Sequence, residues 1–226
     1  MTRLEIRDLI RKRLGETTTS FWSDTELNTW INDACTDLSF RTKCLKSDSY
    51  MTSIYNQGEY TLSNEFPNII TFDEVYFHQN SEADSTASAV WMKMVPTSRT
   101  EMDKLQAGWK SVSGGIPSKY YWDREDNLFG FYPIPDTNNA ITNGCHAYYR
   151  IYHTDLNDDT QSPSLPEYLQ PAAVDFVVAT GYETRGWGDK ANDAWNKYIT
   201  KIHDYQVERH REREDDDLVA KNYRNL

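Results

Sequence analysis

Residues Ser164 to Arg213 carry two helical periods in succession, and this stretch limits the fold more than any other. Ser164 can cap the first helix, Pro166 is tolerated at an early helical position, and Glu167 sits where its carboxylate can return a hydrogen bond to the cap. Leu169, Ala172, Ala173, Phe176, Val177 and Thr180 follow with helical spacing. Gly186 and Gly188 interrupt the period around Trp187, so the chain can turn sharply there. The second helix resumes with Ala191, Ala194, Trp195, Tyr198, Ile199, Ile202 and Tyr205. From Asp189 to Arg213 it is about 37 Å long at 1.5 Å per residue. Between Val207 and Asp217 the apolar face gives way to dense mixed charge. A helix that outruns its own core predicts a tail made for another surface.

The N-terminus repeats the design. Thr2 to Glu5 is a capping-box pattern, with Leu4, Leu9, Ile10 and Leu14 as the apolar face and Gly15 as the stop. A polar loop, Glu16 to Phe21, leads to a second box at Ser23 and Glu26. Trp22 and Leu27 are placed as a hydrophobic staple, and Leu27, Trp30, Ile31, Ala34 and Leu38 line one face. Between the two helix pairs the character changes. Strands are predicted at Tyr50–Tyr55, Glu59–Leu62, Ile69–Phe77, Ala89–Val95, Lys119–Trp122, Leu128–Tyr132 and Cys145–Tyr152. His78–Ser88 reads as a loop, Ser98 caps a short helix to Gln106, and Ser111–Pro117 is a Gly-rich connector. Helices, then strands, then helices predict an α+β fold: an antiparallel-type bundle of N- and C-terminal helix pairs with a β-rich central insertion. The divisions are 1–45 for the first pair, 46–160 for the insertion, 161–205 for the second pair, and 206–226 for an extended tail that docks a partner.

Composition excludes more than it identifies. A net charge of −11 argues against nucleic-acid binding through phosphate neutralisation. It is compatible with a wall past which DNA slides. The three cysteines, Cys35, Cys44 and Cys145, form no CxxC pair and read as small buried hydrophobes of a cytosol-made protein. No signal peptide and no apolar run of membrane-spanning length is visible. His78, His146, His153, His203 and His210 make no metal-binding spacing. Asp155, Asp158 and Asp159 read as link chemistry, and Asp123, Glu125 and Asp126 as turn chemistry, without the oxygen-rich run of a calcium loop. Phosphate-cradle and nucleophile motifs are missing, so no catalytic, cofactor or metal residue is assigned. Alternation in Tyr120-Tyr121-Trp122 puts the outer two on one face and Tyr121 on the other, as in a packed sheet.

Several runs together resemble the head-to-tail adaptor (connector) proteins of tailed bacteriophages. They are Phe21-Trp22-Ser23-Asp24-Thr25-Glu26-Leu27 with Trp30-Ile31-Asn32-Asp33-Ala34, then Pro96-Thr97-Ser98-Arg99 with Gly108-Trp109. Gly115-Ile116-Pro117, Phe129-Gly130-Phe131-Tyr132-Pro133 and Leu165-Pro166-Glu167-Tyr168 follow in order. The resemblance implies a non-enzymatic virion protein at the head–tail junction, made in the host cytoplasm. It implies a ring, usually of twelve copies, below the portal, extending the DNA channel and offering a surface to tail or nozzle proteins. Packaged DNA would pass without sequence-specific binding, and no membrane or cofactor is involved. On this reading Tyr205, Arg209, Arg211, Arg213, Leu218, Val219, Tyr223 and Leu226 dock the portal. Asp123, Arg124, Glu125, Asp126 and Asn127 form a loop facing the tail or a neighbouring subunit. A tail-associated carbohydrate-binding module is the alternative, from the surplus of 15 Tyr and 7 Trp. A nuclease or hydrolase is the third reading, without a constellation to support it.

Overall fold

A computed structural model describes residues 1–16, 21–78, 90–105, 108–109 and 113–223, with the backbone alone for residues 105, 113 and 212–223. In chain order the elements are α1 (Arg3–Leu14), α2 (Asp24–Thr42), β1 (Lys46–Met51), β2 (Glu59–Thr61), α3 (Leu62–Glu65), β3 (Ile69–His78), β4 (Trp91–Lys93) and β5 (Val95–Pro96). Then come α4 (Arg99–Leu105), β6 (Ser113–Gly115), β7 (Lys119–Asp123), β8 (Leu128–Tyr132), β9 (Ile134–Pro135), β10 (Cys145–Ile151), α5 (Gln170–Thr184) and α6 (Gly188–Tyr223). The chain divides into a helical unit, Met1–Leu45 with Tyr152–Leu226, and a β-rich unit, Lys46–Ile151. The α+β reading holds, with both helix pairs in one unit.

In the helical unit α1 and α2 start at the predicted boxes. Glu5 N–H donates to Thr2 Oγ1 at 3.2 Å and Thr2 N–H to Glu5 Oε2 at 2.8 Å. Ser23 and Glu26 exchange the same pair. Each box satisfies two backbone donors that a helix start leaves open, which is why a local pattern locates it. The first helix differs from its predicted face at its start. Ile10 and Leu14 are buried as predicted and Leu9 is half-buried, but Leu4 is exposed and Ile6 is buried in its place. Arg7 and Arg11 are buried beside them because carboxylates reach both: Asp159 at 2.7 Å from Arg7, Glu16 at 3.0 Å and Asp24 at 2.6 Å from Arg11.

The central helix is α5. Ala172, Ala173, Val174, Val177, Val178 and Ala179 are all buried, so its buried surface exceeds the stripe predicted from periodicity. A helix apolar on most sides sits inside a bundle, and α1, α2 and α6 all pack on it. Small residues permit that approach: a Cβ on Gly181 would meet both Leu14 methyl carbons at 3.1 Å. The predicted cap at Ser164 is not used. Its N–H donates to His153 Nε2, a 3-10 turn spans Glu167–Leu169, and α5 begins at Gln170 with Pro171 in its first turn. Burial lowers the His153 pKa, keeping the imidazole neutral and able to accept that bond. On α6, Ala191, Ala194, Tyr198 and Ile202 are buried as predicted, while Ile199 is 57% exposed. That helix continues past Arg213 to Tyr223, so residues 206–223 extend it.

The link 152–163 is tied to this unit. Arg3 N–H donates to the Gln161 carbonyl at 2.7 Å, and Asn32 bonds Leu156 through both backbone groups. Asp159, predicted as a solubilising residue, instead ion-pairs with Arg3 and Arg7. The Arg7 guanidinium holds its carboxyl below the usual carboxylate range.

The β-rich unit has one antiparallel sheet in the order β1-β10-β3-β4 and a second in the order β2-β8-β7-β5, plus the short parallel pair β6-β9. Phe77, Cys145, Ala147 and Tyr149 from the first sheet share a core with Tyr60, Tyr120, Phe129 and Phe131 from the second. The hairpin β7–β8 forms where predicted. Its alternation is also as read: Tyr120 and Trp122 join this core, while Tyr121 packs with Met102 and Trp109 in a satellite cluster. Opposite Tyr121 stands Gly130, where an added Cβ would lie 2.2 Å from the Tyr121 ring, so only glycine fits.

Several strand boundaries differ from prediction, and the strand read at Ala89–Val95 divides into β4 and β5, which belong to different sheets. Tyr50–Tyr55 is displaced to Lys46–Met51, because pairing with β10 fixes the register from Lys46↔Arg150 to Met51↔Cys145. Leu62 opens a short helix rather than closing β2, and His78 is the last residue of β3 rather than the start of a loop. Residues 79–89, to which the loop and the start of the following strand were assigned, lie outside the described residues, as do 17–20 of the first loop and Gln106. The connector predicted at Ser111–Pro117 contains the short strand β6.

Candidate docking surfaces

The distal half of α6 emerges from the core one side chain at a time. Among the described side chains Ile202 is its last buried apolar residue. Tyr205 is half-buried, its ring 5.6 Å from that of the exposed Tyr168. Gln206 donates to the Arg41 carbonyl at 3.2 Å. Arg209 donates to the Thr42 carbonyl at 2.7 Å and to that of Lys43 at 3.1 Å. These are terminal carbonyls of α2, which have no intrahelical partner and carry the negative end of its dipole. Arg209 therefore caps α2, a role no sequence window of helical length could disclose. Arg211, one turn-half further, is exposed and 3.8 Å from Glu208. Beyond it the backbone stays helical to Tyr223, about 18 Å further at 1.5 Å per residue. The side chains of Arg213, Leu218, Val219 and Tyr223 lie outside the described residues, as does all of Leu226.

The capping role has a measurable consequence. Arg209→Ala lowers the stability of the helical unit by about 1 kcal/mol, the size of a partly exposed charge-assisted bond to a helix end. Arg211→Ala changes it by less than about 0.5 kcal/mol. Urea denaturation followed by far-UV circular dichroism separates the two.

The predicted turn is held as a unit. Asp123 Oδ1 accepts the N–H groups of Glu125 and Asp126 at 2.9 and 3.2 Å. Asn127 takes the left-handed conformation, φ 50°, that asparagine tolerates, and bonds Ser63 at 2.9 Å. Arg124 donates to the Ile69 and Ile70 carbonyls, at 3.0 and 2.5 Å. Asp126 receives Arg99 at 2.5 Å. Arg99 and Ser63 were not foreseen, since both come from distant sequence. All five turn residues thus come together, Asp123 half-exposed and the rest exposed, and internal bonds fix their directions.

Catalytic chemistry finds little to use. Among the described residues no three His, Cys, Asp or Glu side chains gather as metal ligands. Burial pushes the Cys35 thiol up to about 12 and raises that of Cys145 as well, which suits packing and not nucleophilic attack. His203 is exposed beside Asp204, and His146 stacks on Tyr50 with its Nε2 3.1 Å from Asp48. Of the aromatic residues of β7 and β8, Tyr120, Tyr121, Phe129 and Phe131 are buried, and Trp122 and Tyr132 are half-buried and packed against the two apolar clusters. No described helix is long and apolar enough to cross a membrane.

The sequence model of the SU10 adaptor protein matches residues 1–219, spanning both units and nearly all of α6. Comparison with curated proteins finds no match.

Proposed function

The chain belongs to the SU10 adaptor protein family, a family of phage head–tail adaptors, and on that premise we propose that it forms a ring below the portal. The family is structural and not catalytic, and its role is that of a virion adaptor. In our reading about a dozen copies extend the DNA channel and carry the tail attachment surface. The distal part of α6 docks the portal through Tyr205, Arg211, Arg213, Leu218, Val219, Tyr223 and Leu226, with Arg209 setting the departure angle of the helix from α2. The turn Asp123–Asn127 faces tail proteins or the neighbouring subunit.

The observation that carries this reading is a helix of 36 residues in which, among the described side chains, the buried apolar positions stop at Ile202. A helix that has left its own core gains little by itself, since helices draw most of their stability from packing. A partner surface supplies it. The charge of −11, repeated around a closed ring, favours sliding over sticking when DNA passes.

Truncation after Arg211 tests the docking assignment while sparing the Arg209 contact with α2. The shortened chain is expected to fold, with an unchanged thermal midpoint and a far-UV helical signal smaller only by the helical residues removed, and to lose co-sedimentation with purified portal. A truncated chain that binds portal as tightly as the full chain refutes the assignment.

A further inference from the structure

The helical unit holds a cleft of about 590 Å³ between the end of α1, the middle of α5 and the first turns of α6. Its ionic lining is Arg13, Lys190, Lys197 and Lys201 against Asp175 and Asp193, four cations to two carboxylates. The local balance is +2, in a chain whose total is −11. At its floor the buried Asp175 is bridged by Arg13 at 2.5 Å and by Lys201. That carboxylate is already satisfied, so the rim cations are the ones left for a ligand. Lys190 is held over the rings of Trp187 and Tyr182, at 4.5 and 5.7 Å. Lys197 is exposed and makes no ion pair with any described residue. The cleft thus presents fixed positive charge to a carboxylate-bearing occupant.

The same chain supplies a matching sequence. Residues 212–217, Glu-Arg-Glu-Asp-Asp-Asp, hold five carboxylates and one arginine, a local charge of −4. They cannot reach their own cleft. Both lie on α6, which is continuous, and Asp215 is 18 residues beyond Lys197, about 27 Å along the axis. We propose that the acidic turns of α6 from one copy dock into the cationic cleft of the next. The contact is heterologous, with different surfaces meeting, so repetition closes a ring when the rotation permits. Of residues 212–217 only Arg213 is also assigned to the portal, so the two contacts share one side chain. A DNA duplex is a poorer occupant: it is a rod much wider than the cleft, and the rest of the acidic chain repels it.

This inference rests on the ring reading and names a contact within it. The test uses the full chain, alone and mixed with portal, by native mass spectrometry and negative-stain imaging. One variant carries Lys190→Glu and Lys197→Glu; the other carries Asp215→Lys, Asp216→Lys and Asp217→Lys. Lys190 and Lys197 are exposed on α6, and for both variants an unchanged thermal midpoint verifies folding. Each variant alone is expected to self-associate at least about tenfold more weakly than the wild type. Wild-type association is expected to weaken with added salt. An equimolar mixture of the two variants regains assembly, because every reversed cleft then meets a reversed helix end. Normal assembly by either variant overturns the inference and leaves the ring intact. So does a loss confined to portal binding, or binding of duplex DNA that only the cleft variant abolishes. A wild type that forms no ring, alone or on portal, removes the ring reading and this contact with it.

Discussion

Replacing Asp175 by alanine is expected to destabilise the helical unit by about 3 kcal/mol, lowering its thermal midpoint by roughly 6–12 °C. The carboxylate is 3% exposed, within α5, and joins α1 through Arg13 to α6 through Lys201. Removing it leaves two cations, 39% and 35% exposed, facing each other without their counter-charge. Their partial exposure keeps the expected loss at the lower end of the range for a broken buried pair. Asp175→Asn, which retains shape and some hydrogen bonding, is expected to lose less. A triple replacement, Asp175→Leu with Arg13→Met and Lys201→Met, is expected to recover most of the loss, because apolar groups of similar volume need no compensation. Differential scanning calorimetry of the three variants measures this order. If the single and triple variants unfold together, the bridge is not what holds these helices.

Phe129→Ala is expected to cost the β-rich unit about 4 kcal/mol. The ring is fully buried, with Phe66 at 5.0 Å, Phe131 at 5.2 Å, Phe72 at 5.4 Å and Tyr120 at 6.0 Å between centroids. Phe66 and Phe131 meet the ring edge to face and Tyr120 stacks on it; such pairs gain a little beyond area burial, and a cavity among them collapses poorly because each neighbour is itself rigid. Phe129→Leu fills much of the space and is expected to cost about 1–2 kcal/mol. Near-UV circular dichroism reports the loss of fixed ring packing, and a urea titration gives the magnitude. An alanine variant within about 1 kcal/mol of the wild type contradicts the assignment of this cluster as the core of the unit.

What the sequence made legible was local. The boxes at Thr2 and Ser23 use residues within one turn, and both appear where the pattern puts them. The hairpin β7–β8 is likewise specified by its own turn and alternation. Failures occur where a distant residue decides. Ser164 has the chemistry of a cap, yet His153 takes its N–H and the helix starts later. Tyr50 to Tyr55 has strand propensity, yet β10 selects the polar Lys46–Ser49 and only the first two residues of that stretch. The loss of the apolar face predicts an end of α6 near Arg213. The backbone stays helical to Tyr223 even through Asp215–Asp217, which have low helix propensity, so periodicity marks where the core ends and not where the helix does. The docking surfaces follow the same division. That α6 outruns its core could be read from periodicity, but the partner of Arg209 lies 167 residues away in sequence and required the fold.

The first and last strands of the β-rich unit, β1 and β10, are adjacent, with Lys46 opposite Arg150. Its entrance and exit are therefore separated by only one strand spacing, about 5 Å. A segment with neighbouring ends is a cassette: it can lengthen, shrink or be exchanged while asking the flanking chain to bridge the same small gap. Diversification of whatever the β-rich unit touches can thus proceed without rebuilding the helices that carry it.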